Sequence, residues 1–261
     1  MSLTDNTSSE QQISEVKMKE KEFDIQTPDG LMTTFVTVPE VNGPHPIILF
    51  LMDAPGKREE LHDMARRFAT GGYYVMLPNL YYRTSKDFVS DFTEESRVTQ
   101  RQHMAALNNQ MVIGDCKTLI QYSLEDKDAS DGPIGCVGYC MSGPFAFAAA
   151  SQLSTRIRAS ASIHGVNLCN DSKDSPHLNA HKIKGEMYFA CAEYDDHIEN
   201  TEIKALEDHL NKTDIKYQIE WYPGSKHGFV FPQRLGIYDK ESAERHWERM
   251  IALFSRNLRT V

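Results

Sequence analysis

The chain has 261 residues and a net charge of −9 at pH 7. This length fits one large α/β domain better than two full domains, and the acidic balance argues against nucleic acid or an anionic membrane surface as a partner, because both bind basic faces. The five cysteines are scattered and odd in number, which favours a reducing compartment over a disulfide framework and predicts a cytoplasmic protein.

The N-terminal segment is polar and charged, without the apolar stretch of a signal peptide. We therefore expect a flexible leader over residues 1–22 and a single domain over residues 23–261. Residues 23–27 and 32–39 alternate between polar and apolar side chains and flank a Pro-Asp-Gly turn. This pattern predicts an antiparallel hairpin at the edge of the main sheet.

The rest of the chain alternates between strand and helix patterns. Short apolar runs predict buried strands over 46–52, 73–78, 157–163, 185–192 and 217–222, and helical spacing predicts helices over 59–70, 104–123, 200–211 and 240–258. Residues 84–103 are polar and weakly periodic, which suits a surface excursion or a cap over a pocket. The alternation predicts an α/β fold with a mostly parallel, doubly wound sheet and helices on both faces, whose ligands bind at the carboxyl ends of the strands.

The segment 134–150 carries the strongest chemical signal. An apolar strand pattern meets the turn Gly-Tyr-Cys-Met-Ser-Gly, and a buried helix pattern follows at once. This is the arrangement of a nucleophile elbow with Cys140 at its apex. Gly138 and Gly143 keep the strained turn uncrowded, and the N–H of Met141 can face a developing oxyanion. The segment alone leaves open a buried structural cysteine in an ordinary turn.

Two later loops supply the partners that a cysteine nucleophile needs. Asp195 follows the strand pattern at 185–192, and His227 lies in a Gly-Ser-Lys-His-Gly-Phe loop. The chain order of nucleophile, acid and histidine is that of α/β-hydrolase triads. Histidine can take the thiol proton and return it to the leaving group, while a carboxylate fixes its tautomer. Asp196 is an alternative orienting acid, but Asp195 is preferred because it stands at the start of its loop.

In these motifs the chain resembles the dienelactone hydrolases, cysteine members of the α/β-hydrolase fold, from about residue 23 to 258. The resemblance includes Leu-Pro-Asn-Leu-Tyr-Tyr-Arg at 77–83 and the pattern of Tyr238, Ala243 and Trp247. It implies a cofactor-independent hydrolase that cleaves an ester, lactone or related acyl bond of a small molecule. It also implies site residues: Cys140 as nucleophile, His227 as base, Asp195 as orienter, and the N–H groups of Met141 and Ala54 as the oxyanion hole.

Two positions depart from the family pattern. Asp53 stands where the best-known members carry a glutamate that touches the resting thiol, and its side chain is shorter. Phe231 stands where they carry an arginine that holds the substrate carboxylate. The remaining candidates for substrate binding are Arg83 as a carboxylate anchor, with Tyr82 and Phe229 as pocket walls; Arg234 would have to reach in from elsewhere.

These departures motivate an alternative function, a hydrolase-fold protein that binds a ligand or senses oxidants through its thiol without hydrolysing anything. Other motifs add little chemistry. No nucleotide-binding glycine motif is present, so no nucleotide cofactor is expected. Cys169, His177 and His181 could suggest a metal, but no Cys-x2-Cys pair accompanies them, so a surface loop is the preferred interpretation and no metal is expected. Ser142 fits a small spacer better than a second nucleophile, and His164 suits a pocket wall and a structural role equally well.

Overall fold

The computed structural model describes residues 17–259. In this part of the chain the strands are β1 (Met18–Thr27), β2 (Gly30–Pro39), β3 (Ile47–Leu51), β4 (Tyr74–Pro78), β5 (Ile134–Tyr139), β6 (Ile157–Ile163), β7 (Glu186–Tyr194) and β8 (Lys216–Lys226). The α-helices are α1 (Glu59–Thr70), α2 (Glu94–Ala105), α3 (Asn109–Ser123), α4 (Gly143–Gln152), α5 (Asn200–Leu210) and α6 (Lys240–Leu258).

The strands form one sheet in the order β1-β2-β4-β3-β5-β6-β7-β8. The pairs β1–β2 and β2–β4 are antiparallel, whereas every pair from β4 to β8 is parallel. The predicted mostly parallel sheet with an antiparallel hairpin at one edge is therefore confirmed. Strands β3, β4 and β5 are buried along their whole length, which explains their continuous apolar patterns.

Helices cover both faces of this sheet. A Cβ atom added at Gly135 in β5 would lie 2.8 Å from the Phe254 ring of α6, and one added at Gly138 would lie 3.1 Å from Ala146 of α4. Because these two strand positions point to opposite faces, α6 and α4 lie on opposite sides of the sheet. On the α6 side, the ring of Phe68 in α1 packs 5.8 Å from that of Phe254.

Strand β8 is the outermost parallel strand, and Glu220 near its middle is hydrogen-bonded to α6. Glu220 accepts hydrogen bonds from Arg249 at 2.8 and 3.2 Å and also pairs with Arg245. Its carboxylate accepts a further bond from Tyr188 of β7 at 2.8 Å. These contacts hold the edge strand against its neighbour and against the helix that covers it.

The main difference from the sequence expectation is α2. Residues 84–103 are only weakly periodic, which suits a surface excursion or a cap, yet α2 begins inside them. Thr93 caps this helix, and its hydroxyl oxygen accepts a bond from the Ser96 N–H at 3.3 Å. None of its residues is buried, so it has no apolar face that a periodicity argument could detect. The predicted helix at 104–123 begins only at Asn109, because Asn108 caps α3.

The N-terminal boundary also differs. Strand β1 begins at Met18, inside the predicted leader, because the charged residues at its start pair with β2 as an edge strand. The rest of the leader, residues 1–16, lies outside the described residues. Among the described helices, none combines the length and the apolarity needed to cross a membrane.

The junction of β5 and α4 leaves no room for a side chain at Gly138, where a Cβ atom would lie 2.0 Å from the Ser142 carbonyl oxygen. We expect Gly138→Ala to lower the free energy of unfolding by about 3 kcal/mol or more, because backbone must shift to admit the methyl group. Gly114 in α3 is the matched control, since a Cβ there meets nothing within 4 Å. Gly114→Ala should raise the free energy by about 0.5–1 kcal/mol. Urea unfolding measures both, and a neutral Gly138→Ala would contradict the packing described.

Candidate active site

Cys140 lies at the apex of the turn between β5 and α4. Its φ of 54° is in the left-handed region that residues other than glycine seldom adopt. A short 3-10 turn, Cys140–Ser142, leads directly into α4. The thiol is free and its residue partly exposed, whereas Cys116, Cys136 and Cys191 are buried. Strained backbone with an accessible side chain is the geometry that a nucleophile elbow requires.

One direct hydrogen bond joins this elbow to the loop that follows β3, and Tyr81 contacts both segments. The hydroxyl of Ser142, which is fully buried, donates to the Met52 carbonyl at 2.5 Å. The Tyr81 hydroxyl donates to the Ala54 carbonyl at 2.8 Å and lies 3.2 Å from the sulfur of Met141. The segments that contain Met141 and Ala54 are therefore fixed against each other. Ser142 is a buried structural hydroxyl whose proton is already donated.

Strand pairing brings the acid and histidine loops together. Tyr194 at the end of β7 is opposite Lys226 at the end of β8, so the next residues, Asp195 and His227, leave the sheet side by side. The Nδ1–H of His227 donates to Asp195 Oδ2 at 2.8 Å, and both side chains are buried. The other Asp195 oxygen accepts the backbone N–H of His197 at 2.9 Å. Asp196, the alternative acid, is exposed.

His227 is surrounded by groups that change its protonation. Burial alone would lower its pKa, but the hydrogen bond with Asp195 and the neighbouring Cys140 outweigh burial and raise the pKa to about 9. The ring atom Nε2 has no aligned hydrogen-bond partner among the described residues. Cys140 therefore lies close enough to influence the imidazole, although no hydrogen bond of good geometry joins the two side chains.

His164 ends β6 and packs against the ring of His227, with ring centroids 4.7 Å apart. Burial, followed by the charge on His227, holds the pKa of His164 well below its ordinary value. His164 therefore stays neutral beside a histidine that favours its cationic form. Neither of its ring nitrogens has a partner among the described residues. Of the two roles left open by the sequence, a pocket wall and a structural residue, its burial against His227 favours the structural one.

Asp53 is fully buried and its carboxylate accepts from two arginines. Arg58 donates at 2.5 and 3.3 Å and Arg234 at 3.0 Å. Both guanidinium groups lie over the ring of Phe231, at 5.3 and 4.9 Å from its centroid. Phe231 thus supports the arginines instead of replacing one, and Arg234 reaches the site from further along the same loop.

Arg58 was missed by the sequence reasoning. It occupies the N-cap position of α1 without making a side-chain capping bond. The helix dipole disfavours a cation at a helix N-terminus. An arginine at the predicted start of α1, directly before Glu59 and Glu60, could therefore have indicated that Arg58 pairs with an acidic residue. Glu60 offsets part of that cost, since it accepts from Arg58 at 2.6 Å.

The predicted substrate contacts of Arg83, Tyr82 and Phe229 have other partners in the structure. Arg83 donates to Asp115 at 2.8 and 2.9 Å and to Asp29 at 2.7 Å. The Tyr82 hydroxyl donates to the same Asp115 at 2.9 Å. These bonds join the first hairpin, the end of β4 and α3. Phe229 is fully buried against Tyr222, with centroids 4.8 Å apart, because its loop folds back onto β8.

A cleft of about 370 Å³ opens beside the elbow. Its walls come from the α2–α3 junction, the elbow with the start of α4, and the loop after β6. The lining residues are Met104, Leu107, Asn108, Asn109, Met141, Pro144, Phe145, Val166, Asn167, Asn170, Ser172, Asp174, Ser175 and Pro176. Met141, a predicted oxyanion-hole residue, lines this cleft, although Cys140, Asp195 and His227 do not. A smaller hollow of about 220 Å³ between α1 and α6 includes none of these four residues, and an open hollow of about 620 Å³ along residues 193–201 includes Asp195. Because the cleft includes Met141 of the elbow, we take it as the candidate substrate site.

Comparison with known proteins supports the fold described above. Protein usf of Aquifex pyrophilus is 21% identical over 230 residues, which cover 86% of this chain and 93% of that protein. Carboxymethylenebutenolidase of Rhodococcus opacus is 23% identical and covers 81% of each chain. The solved structure of a Klebsiella pneumoniae protein, provisionally titled a dienelactone hydrolase, aligns with a TM-score of 0.81 at 20% identity, covering 92% of this chain and 99% of its own. That likeness confirms the expected α/β-hydrolase fold.

A sequence profile described as the Dienelactone hydrolase family matches residues 32–258, which include the elbow, the acid loop and the histidine loop. The match spans most of the chain, and relatives named carboxymethylenebutenolidase agree with it. The chain therefore belongs to the dienelactone hydrolase family and is a hydrolase of the ester or lactone type.

Proposed function

We propose that this hydrolase cleaves its ester, lactone or related acyl bond through a thioester on Cys140, with His227 as the base and Asp195 as its orienting acid. The observation that carries the proposal is the buried 2.8 Å hydrogen bond between His227 and Asp195 beside the strained elbow of Cys140. A thiol needs such a base, because little of it is thiolate at neutral pH.

The reaction starts from the pair in which the proton of the Cys140 thiol is already on Nε2 of His227, so that a thiolate lies beside an imidazolium. The raised pKa of His227 favours this pair, and Asp195 stabilises the imidazolium. The thiolate then attacks the substrate carbonyl carbon. The resulting oxyanion is held by the backbone N–H groups of Met141 and Ala54, and its collapse expels an alkoxide that takes the proton from His227.

The second half of the cycle releases the acyl group. His227 takes a proton from water as that water attacks the thioester carbonyl, and the same N–H groups hold the second oxyanion. Collapse of this intermediate breaks the carbon–sulfur bond, and the proton returns to the sulfur of Cys140. The products are a carboxylic acid and an alcohol, which for a lactone are parts of one molecule.

We assign activation of the thiol to His227 and give Asp53 a supporting role. Both oxygens of Asp53 are already engaged by Arg58 and Arg234, so this carboxylate is poorly placed to accept the thiol proton. Asp53 precedes Ala54, however, and its fixed side chain limits the movement of that N–H group. Loss of one oxyanion-hole donor costs about two to three powers of ten in rate, so the order of this loop matters.

The nucleophile is tested with Cys140→Ala. We expect the rate of hydrolysis of small aryl esters to fall at least about a thousandfold, because no other group replaces the thiolate. Cys169→Ala is the control, since Cys169 is also a partly exposed free thiol but lies in the loop after β6, where its N–H donates to Glu202 at 3.1 Å. Circular dichroism verifies the fold of both variants. Undiminished hydrolysis by Cys140→Ala would rule out the thioester.

The acid is tested by comparing Asp195→Asn with Asp196→Asn. We expect the first to lower kcat at least about a hundredfold and the second to change it little. Because Asp195 raises the pKa of His227, NMR titration should find a pKa below the wild-type value of about 9 in Asp195→Asn.

The raised pKa of His227 also predicts how the free energy of unfolding changes with pH. Folding raises the pKa of His227 from about 6.5 to about 9, so protonated His227 stabilises the wild type fully below pH ~6.5. That contribution is lost as pH rises through about 9. Asp195→Asn should show a smaller loss over this window in urea unfolding. Equal behaviour of the two aspartate variants would contradict the assignment of Asp195.

The bridge between the elbow and the β3 loop is tested with Ser142→Ala. Removal of the bond to Met52 should loosen the two oxyanion N–H groups relative to each other and lower kcat about tenfold, with a smaller change in KM. Ser151→Ala is the control, because Ser151 is also buried and donates only to the Ala148 carbonyl of its own helix, at 2.8 Å. A Ser142→Ala variant with wild-type kcat would show that this bridge does not support catalysis.

A further inference from the structure

The three arginines considered for the site, Arg58, Arg83 and Arg234, each pair with a carboxylate of the protein. Arg83 is held by Asp115 and Asp29. Arg58 and Arg234 share Asp53, and Arg58 also pairs with Glu60. The formal charges of this second group, two arginines and two acids, cancel. A substrate carboxylate bound by Arg58 or Arg83 would therefore have to displace a carboxylate of the protein. Arg234 pairs with Asp53 through Nη2 only, and its buried Nε–H has no partner among the described residues.

The cleft itself offers no compensating cation. Among the residues that line it, all of them within the described part of the chain, there is no lysine or arginine. The single charged residue is Asp174, whose carboxylate accepts the N–H of Asn109 at 3.2 Å. The cleft is thus mildly repulsive to an anion, and a buried carboxylate without a partner costs several kcal/mol.

The loop that carries Asp195 is also acidic. A hollow of about 620 Å³ lies along the acid loop and is lined by residues 193–201, which include Glu193, Asp195, Asp196 and Glu199. Lining acids of one sign lower the local concentration of anions. The hollow along the acid loop and the cleft share no lining residue, and both disfavour a negatively charged substrate.

The polar groups that remain in the cleft are neutral. Asn167 has a φ of 55° and is exposed, and Asn108 and Asn170 lie near it in the lining. The carbonyl oxygens of Asn108 and Asn170 accept backbone N–H groups at 3.0 and 2.9 Å, which leaves their NH₂ groups as donors. Amide donors suit the carbonyl and hydroxyl oxygens of an uncharged molecule.

We propose that this site selects uncharged esters or lactones and discriminates against substrates that carry a carboxylate. The inference rests on the proposed function, because it assumes that the cleft beside Met141 receives the substrate of Cys140. Apolar walls such as Leu107 and Phe145 bury the carbon skeleton, and the asparagine amides bind neutral oxygens. The arginines act within the protein, where they fix Asp53 and Asp115.

The test compares two substrates of equal length and leaving group. These are the mono-4-nitrophenyl ester of adipic acid, which carries a free carboxylate, and the same compound with that carboxylate methylated. We expect kcat/KM, corrected for the spontaneous rate, to be at least about tenfold higher for the neutral ester, which corresponds to about 1.4 kcal/mol. Higher salt should narrow the gap by screening.

Asp174→Asn tests whether the cleft is responsible. It keeps an acceptor for Asn109 but removes the charge, so the preference for the neutral ester should shrink about two- to threefold. Asp214→Asn is the control, because it removes the same charge from an exposed residue before β8, at the opposite end of the strands from Cys140.

The outcomes separate the two proposals. Equal or faster turnover of the carboxylate ester would overturn the inference and leave the proposed function standing. Equal effects of the two aspartate variants would overturn the assignment of selectivity to the cleft. Hydrolysis of neither ester by the wild type would overturn the proposed function, and the inference with it.

Discussion

The site depends on how closely the last turn of the elbow packs against the strand that precedes it. Gly138 has no side chain, so the Ser142 carbonyl can lie against β5, and the backbone between them is forced through the left-handed conformation of Cys140. The bond from Ser142 to Met52 then fastens this turn to the next strand. Position of the thiol, orientation of the Met141 N–H and the distance to the Ala54 loop are therefore set by one packing constraint.

Two sets of charged groups surround the thiol, and they differ in whether they can exchange a proton. On one side, Asp195 and Cys140 favour the protonated form of His227, while burial keeps the adjacent His164 neutral. On the other side, Asp53 is matched by Arg58 and Arg234. The first side can exchange a proton, whereas the second is a fixed ion-pair cluster. This division explains why a shorter acid and a phenylalanine at position 231 are compatible with a hydrolase.

The sequence was most informative where a local pattern reflects burial. Helices α1 and α6 have the predicted bounds, because each buries one apolar face, and the elbow motif located Cys140. Helix α2 could not be found by the same reasoning, since it buries nothing. The partners of Arg83 and Asp53 were also out of reach, because an ion pair between distant segments leaves no periodic trace. The sequence shows which charges exist, and only the fold shows which of them are already neutralised.

Because β8 lies at the edge of the sheet, substitutions away from the active site can affect the alignment of Asp195 and His227. Asp195 and His227 meet because β7 and β8 end in register, yet β8 has a neighbouring strand on one side only. Besides its pairing with β7, the strand is held by the cluster of Glu220, Arg249 and Tyr188 near its middle. Elements with few buried contacts are the first to open locally. The alignment of the base therefore depends in part on residues around the middle of the strand, which belong neither to the triad nor to the lining of the cleft.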